Sequence, residues 1–174
     1  MPDDVVEWMQ QGWLTFWRKE IRIMSIEARF VHINIVARDW QRLARFYEQV
    51  FGCQPVPPER DLAGPWLEQA TGIPGARIHG VHLRLPGHGQ AGPTLEIFQY
   101  AQEEEGPRPA INRPGLAHIA LAVADVQAAR QAVLAAGGSA LGEIVSAEIA
   151  GAGRVTFAYV SDPEGNFIEL QRWR

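Results

Sequence analysis

Two histidines occupy the same place in a repeated pattern. His32 is followed seven residues later by Asp39, and His118 is followed seven residues later by Asp125. Two glutamates, Glu96 and Glu169, each sit between aliphatic neighbours, Leu95 and Ile97 in one case and Ile168 and Leu170 in the other. A carboxylate is disfavoured in such a setting unless its own face of the strand is polar or metal-bound. Two imidazoles and two carboxylates suit one divalent cation (Ni, Co, Zn, Mn or Fe), with positions left for water or substrate. No thiolate belongs to the set, which argues against a structural zinc site. Such a cation stabilises an enolate as it develops. A ligand glutamate that loosens, Glu169 or Glu96, carries the proton between two carbons.

These side chains need strands to aim them. The alternation over residues 30–36 predicts a strand with His32, Asn34 and Val36 on one face and Val31, Ile33 and Ile35 on the other. Asp39 fits the N-cap of a helix ending at Phe51, with Gly52 as its stop. Residues 53–75 are broken by proline and glycine, with one short helix expected over residues 65–71. Strands are predicted over residues 76–85 and 94–100, the latter with Glu96, Phe98 and Tyr100 on one face. The second half repeats the plan. A strand over residues 116–123 places His118, Ala120 and Ala122 together, and a helix runs from Asp125 to about Ala136. Strands near 141–149 and 153–161 follow, then a tight turn at Asp162-Pro163-Glu164-Gly165, then a strand with Phe167, Glu169 and Gln171 on one face.

The fold class is therefore α+β: two tandem βαβββ modules that pair into a curved, half-open barrel with helices outside. The first module spans residues 28–101, a linker 102–114, and the second module 115–174. Residues 1–24 form an N-terminal extension of helical spacing to which no chemistry is assigned. Asn34, Val36, Trp66, Phe98, Tyr100, Ala120 and Phe167 are the expected substrate-contacting residues. Their aromatic character favours an aromatic or acyl substrate. His79, His82 and His88 lie near a turn and read as surface residues, with His82 or Arg84 the alternative wall of the trough.

Composition narrows the partners. The 174 residues are 47% apolar with a net charge of −4, which does not favour nucleic acid. The single cysteine, Cys53, cannot close an internal disulfide, so a reducing cytoplasm is expected. No apolar run reaches membrane-spanning length. The expected partner is a small molecule.

The residues also carry a resemblance. Val31-His32-Ile33, Arg45-Phe46-Tyr47, Phe51-Gly52, Thr94-Leu95-Glu96-Ile97, the run 115–123 and the run 157–170 together resemble the vicinal oxygen chelate superfamily. Glyoxalase I, methylmalonyl-CoA epimerase, extradiol dioxygenases and bleomycin-resistance proteins belong to it. The resemblance implies metal ligands at His32, Glu96, His118 and Glu169, a set similar to that of bacterial glyoxalase I. It implies a glyoxalase-like lyase, isomerase or epimerase working as a homodimer, with the paired modules drawn from one chain or from two. In glyoxalase I, an Arg four residues after the first His and an Asn four after the first Glu serve glutathione. Those positions hold Val36 and Tyr100 here, so the likeness does not extend to glutathione. An Fe(II) ring-cleaving dioxygenase and a drug-binding resistance protein are the alternatives.

Overall fold

The computed structural model describes residues 26–107 and 109–174, so the helix expected within residues 1–24 lies outside the described residues. Val31–Arg174 forms one structural unit. Within Met1–Phe30, the described residues 26–30 are exposed and without regular structure.

Helix signals and strand alternation act locally, and they place most elements. Strand β1 (His32–Val36) leads into α1 (Trp40–Phe51). The Asp39 carboxylate accepts from the Arg42 amide at 2.9 Å, and Gly52 ends the helix in the left-handed region at φ 68°. Leu43, Ala44, Phe46 and Tyr47 make the buried face of α1. There follow β2 (Gln54–Ala63), the short helix α2 (Pro65–Thr71), β3 (Arg77–Arg84) and β4 (Thr94–Tyr100). The second half contains β5 (His118–Ala122), α3 (Val126–Ala135), β6 (Ser139–Ile149), β7 (Gly153–Ser161) and β8 (Phe167–Trp173). Asp125 caps α3 by accepting from the Ala128 amide at 3.0 Å.

The strands form two four-stranded sheets, ordered β1-β4-β3-β2 and β5-β8-β7-β6, with no closed barrel among the described residues. In each sheet the first strand runs parallel to the last, and the other pairs are antiparallel. The two sheets are thus the same βαβββ plan written twice. Leu83, Leu95 and Ile97 of the first sheet and Val160, Ile168 and Leu170 of the second are fully buried in one core with α1 and α3. Strand alternation then fixes the other face of each sheet, where the polar residues stand.

Strand β2 departs from the sequence expectation. Pro55, Pro57 and Pro58 read as chain breakers, yet Gln54–Ala63 pairs with β3 across a register shift between Val56 and Arg60. It is an edge strand, where missing amide donors cost no ladder bonds on the open side. Helix α2 covers one end of the polar face. Its Leu67 joins Ala76, Ile78 and Phe98 in a second, smaller apolar cluster, with Leu62 and Tyr100 against it. Gly80 lies opposite Phe98, and a Cβ there would approach the Ile97 carbonyl and the Phe98 ring far inside contact distance.

The two modules are joined through the turn at residues 162–165. The Glu164 carboxylate accepts from the Arg38 and Asp39 amides at 2.7 and 2.8 Å, just before α1. Asp162, only 2% exposed, accepts from the Glu164 and Asn166 amides, the Asn166 side chain and the Tyr47 hydroxyl at 2.9–3.1 Å. Burial raises the Asp162 carboxyl, and these bonds pull it back. Burial, and then the charge of Asp162, raise the Tyr47 phenol well above its ordinary value.

Two outcomes follow. Tyr47→Phe leaves Asp162 short of one donor and is expected to lose about 1–2 kcal/mol in urea unfolding at pH 7. The folded state holds the Tyr47 proton above the ordinary phenol value near 10 while the unfolded chain releases it, so wild-type stability falls as pH rises past about 10. Phenylalanine removes that slope, and the deficit of the variant narrows in alkaline buffer. A deficit that is constant with pH would contradict the assignment. Gly80→Ala is expected to destabilise by about 1–3 kcal/mol through overpacking, read as a lower unfolding midpoint at unchanged m-value.

Candidate metal and substrate site

The four expected donors lie on the polar faces of the two sheets, one His/Glu pair on each. On the first sheet, parallel pairing sets Asn34 beside Glu96 and His32 beside Thr94. His32 Nε2 stands 3.3 Å from Glu96 Oε2, and the Asn34 side-chain amide makes a long contact of 3.4 Å to the same oxygen. On the second sheet, His118 Nε2 stands 3.1 Å from Glu169 Oε2. Both histidines are partly open to solvent, with side chains 43% and 30% exposed, while their glutamates are more enclosed.

Each glutamate also has a partner across the hairpin, and the two partners differ. His82 is opposite Glu96, with Nε2 2.9 Å from Glu96 Oε1 and Nδ1 3.2 Å from the Thr94 hydroxyl. Tyr159 holds the equivalent position opposite Glu169. Burial lowers the His82 pKa, Glu96 opposes this, and the charges of Arg60 and His32 reinforce it. Burial raises the Tyr159 phenol, followed by the charge of Glu169 and a hydrogen bond to it. The His118 ring packs against Tyr159 at 5.2 Å between centroids. His118 Nδ1 is buried with no hydrogen-bond partner.

The reading of His82 as a surface residue is therefore corrected. Hairpin register decides its place: the turn over residues 86–93 pairs Arg84 with Thr94, which brings His82 opposite Glu96. Counting outwards from that turn was the signal that could have found it, and the same count from residues 162–165 leads to Tyr159. His79 instead lies on the opposite face, 3.5 Å from Asp61 beside Arg77.

The expected substrate-contacting residues divide four ways. Asn34, Val36 and Phe167 line a cleft of about 260 Å³ with His118, Tyr47 and Leu116, between β1 and β5. Ala120 is exposed on the same face as His118 and pairs with Glu169. Phe98 and Tyr100 belong to the cluster beneath α2, where the Phe98 ring meets the edge of His82 at 5.8 Å. Trp66 is 55% exposed, and its neighbour Leu67 fills that cluster.

The donor chemistry fits a divalent metal. Nitrogen and oxygen atoms 3.1–3.3 Å apart match adjacent positions around a cation that each would bind at about 2.0–2.2 Å. Among the described residues, however, no three of His, Cys, Asp or Glu are grouped to hold a metal ion. A single chain offers its donors as two pairs, not as the one converged quartet expected from the sequence. The physical reason is the topology: each pair belongs to its own sheet, and each sheet spends its opposite face on the common core.

Comparison with known proteins agrees with this architecture. The family model described as the Glyoxalase/Bleomycin resistance protein/Dioxygenase superfamily matches residues 29–170. No curated protein matches the chain. Among solved structures, a glyoxalase family protein from Bacillus cereus superposes with a TM-score of 0.66 at 17% identity, covering 87% of this chain and 97% of the other. A glyoxalase/bleomycin resistance protein/dioxygenase family enzyme from Burkholderia phytofirmans PsJN gives 0.54 at 18% identity, covering 84% and 100%. A domain of the same description from Frankia sp. EAN1pec gives 0.54 at 17% identity, covering 86% and 100%. No helix among the described residues is long and apolar enough to cross a membrane. With the family model spanning most of the sequence and the same fold in these structures, the chain belongs to the Glyoxalase/Bleomycin resistance protein/Dioxygenase superfamily.

Proposed function

We propose that this protein is a divalent-metal-dependent lyase, isomerase or epimerase that moves a proton on a small molecule chelating through adjacent oxygens. The observation that carries the reading is the matched pair of His/Glu contacts at equivalent positions of two repeated sheets. His32, Glu96, His118 and Glu169 would hold Ni, Co, Zn, Mn or Fe. That metal, when bound, draws electron density from paired substrate oxygens and acidifies the neighbouring C–H.

The chain supplies the rest. Glu169 or Glu96 accepts the proton from one carbon and returns it to another, each carboxylate partly enclosed and already aimed by its strand. Asn34, Val36 and Phe167 border the cleft beside His118 and would contact the substrate's body. Val36 and Tyr100 supply neither charge nor amide, which does not suit glutathione.

A second copy would complete the site. The His/Glu pairs stand on open faces, and exposed Val36 shares the first face while Val145, Ile149 and Trp173 share the second. Apposing the first face of one copy and the second face of another, twice about a two-fold axis, buries these apolar groups and gathers four donors at each junction.

Purified protein is expected to have the mass of a homodimer and to contain about one divalent metal per chain, as the two-fold axis repeats each junction once. Glu169→Gln or Glu96→Gln should reduce kcat by about 10²–10⁴-fold on whichever α-oxo thioester or acyl-CoA epimer is turned over. Oxygen uptake with catechols would instead identify a ring-cleaving dioxygenase. A protein that takes up no metal in titration would overturn the proposal in favour of ligand sequestration.

A further inference from the structure

The hairpin partner of Glu96 has no role in the function proposed above, yet its geometry is specific. His82 uses both ring nitrogens on protein partners, Nε2 on Glu96 Oε1 at 2.9 Å and Nδ1 on the Thr94 hydroxyl at 3.2 Å. The Glu96 carboxylate is an acceptor, so Nε2 carries the proton and donates to it. In the neutral ring, Nδ1 then accepts from Thr94. The imidazole is half-buried, with its ring edge against Phe98 and 6.0 Å between its centroid and that of His32. One carboxylate oxygen is thereby committed to His82, and the other, Oε2, is left facing His32 Nε2 at 3.3 Å. The Asn34 side-chain amide adds only a long contact of 3.4 Å to that same Oε2, so the 2.9 Å bond to His82 is the shorter hold on the carboxylate. Glu169 lacks this arrangement, because Tyr159, a phenol, occupies the matching position.

We propose that His82 is a positioning residue: the chain Thr94–His82–Glu96 holds the Glu96 carboxylate in the orientation that a cation shared with His32 requires. With both nitrogens spent, His82 does not bind the cation itself but acts through Glu96. The inference rests on the metal-dependent reading above. Partners that orient a ligand in this way typically contribute about 10–100-fold to metal affinity.

The test is Co²⁺ titration of the full chain, followed by visible absorption, on wild type, His82→Phe, His82→Gln and Thr94→Val, with thermal melting of each metal-free protein. Phenylalanine keeps a ring but no donor, and is expected to weaken Co²⁺ binding about 10–100-fold, whereas glutamine, which restores an N–H, stays within about threefold of wild type. Thr94→Val frees only the far nitrogen and should weaken binding by about threefold to tenfold, which keeps the test available if His82→Phe does not fold. Wild-type affinity in His82→Phe, or in Thr94→Val if the former does not fold, would overturn the proposal. So would equal losses in His82→Phe and His82→Gln that track lower melting temperatures, since these mark a packing role alone. A wild-type protein that binds no Co²⁺ would remove the metal-dependent reading itself, an outcome distinct from a wild type that binds and variants that do not differ.

Discussion

The turn between β7 and β8 fastens one half of the molecule to the other. Its Glu164 carboxylate accepts hydrogen bonds from two backbone amides at the entrance to α1, the kind of donor a helix start leaves without a partner. A negative group at that end is also favoured by the helix dipole. Its Asp162 is buried and would be costly alone, but four donors surround it, one of them the Tyr47 hydroxyl from α1. Both contacts cross from the second module to the first. They hold the residues directly after β1 beside the residues directly before β8, and those are the strands bearing His32 and Glu169. The relative placement of the two His/Glu pairs therefore depends on two carboxylates of this one turn.

Repetition gives the halves the same backbone and leaves the side chains free to differ. Glu96 and Glu169 occupy equivalent rungs, each beside a parallel first strand and an antiparallel partner. The first meets an imidazole held by Thr94; the second meets a phenol packed on His118. Two carboxylates that are equal in backbone are thus unequal in their hydrogen-bond surroundings. An asymmetric task such as binding with one and transferring a proton with the other has a structural starting point here.

What was legible in the sequence was what short-range physics decides. Asp39, Gly52 and Asp125 mark helix ends through bonds spanning a few residues, and α1 runs over the expected interval. The Asp162–Gly165 turn closes with the Gly165 amide on the Asp162 carbonyl at 3.1 Å, as its residue order implies. Alternation assigned Leu95 and Ile97 to the core and Glu96 to the other face. Strand β2 was hidden because three prolines mask a β pattern that only an edge position tolerates. His82 was read mainly as a surface residue, with the trough wall only as its alternative, because hairpin register, not strand alternation, gives it Glu96. Leu67, and not the more conspicuous Trp66, anchors α2, since a short helix buries whichever residue faces the sheet. The contacts of Asp162 and Glu164 join positions 115 to 126 residues apart, and no local pattern announces them.

The prolines of β2 have a consequence beyond that strand. Every open sheet exposes unpaired amides and carbonyls along its margins, an invitation to strand addition by another molecule. The outer margins of both sheets have an irregular register, but only that of the first sheet answers with imino acids that have no proton to give. The outer margin of the second sheet, β6, has eleven residues and no proline. Lateral growth through these outer margins thus has one receptive flank per molecule. Pairing of that flank with its like would close after two molecules, so this route ends in a discrete pair instead of a fibre.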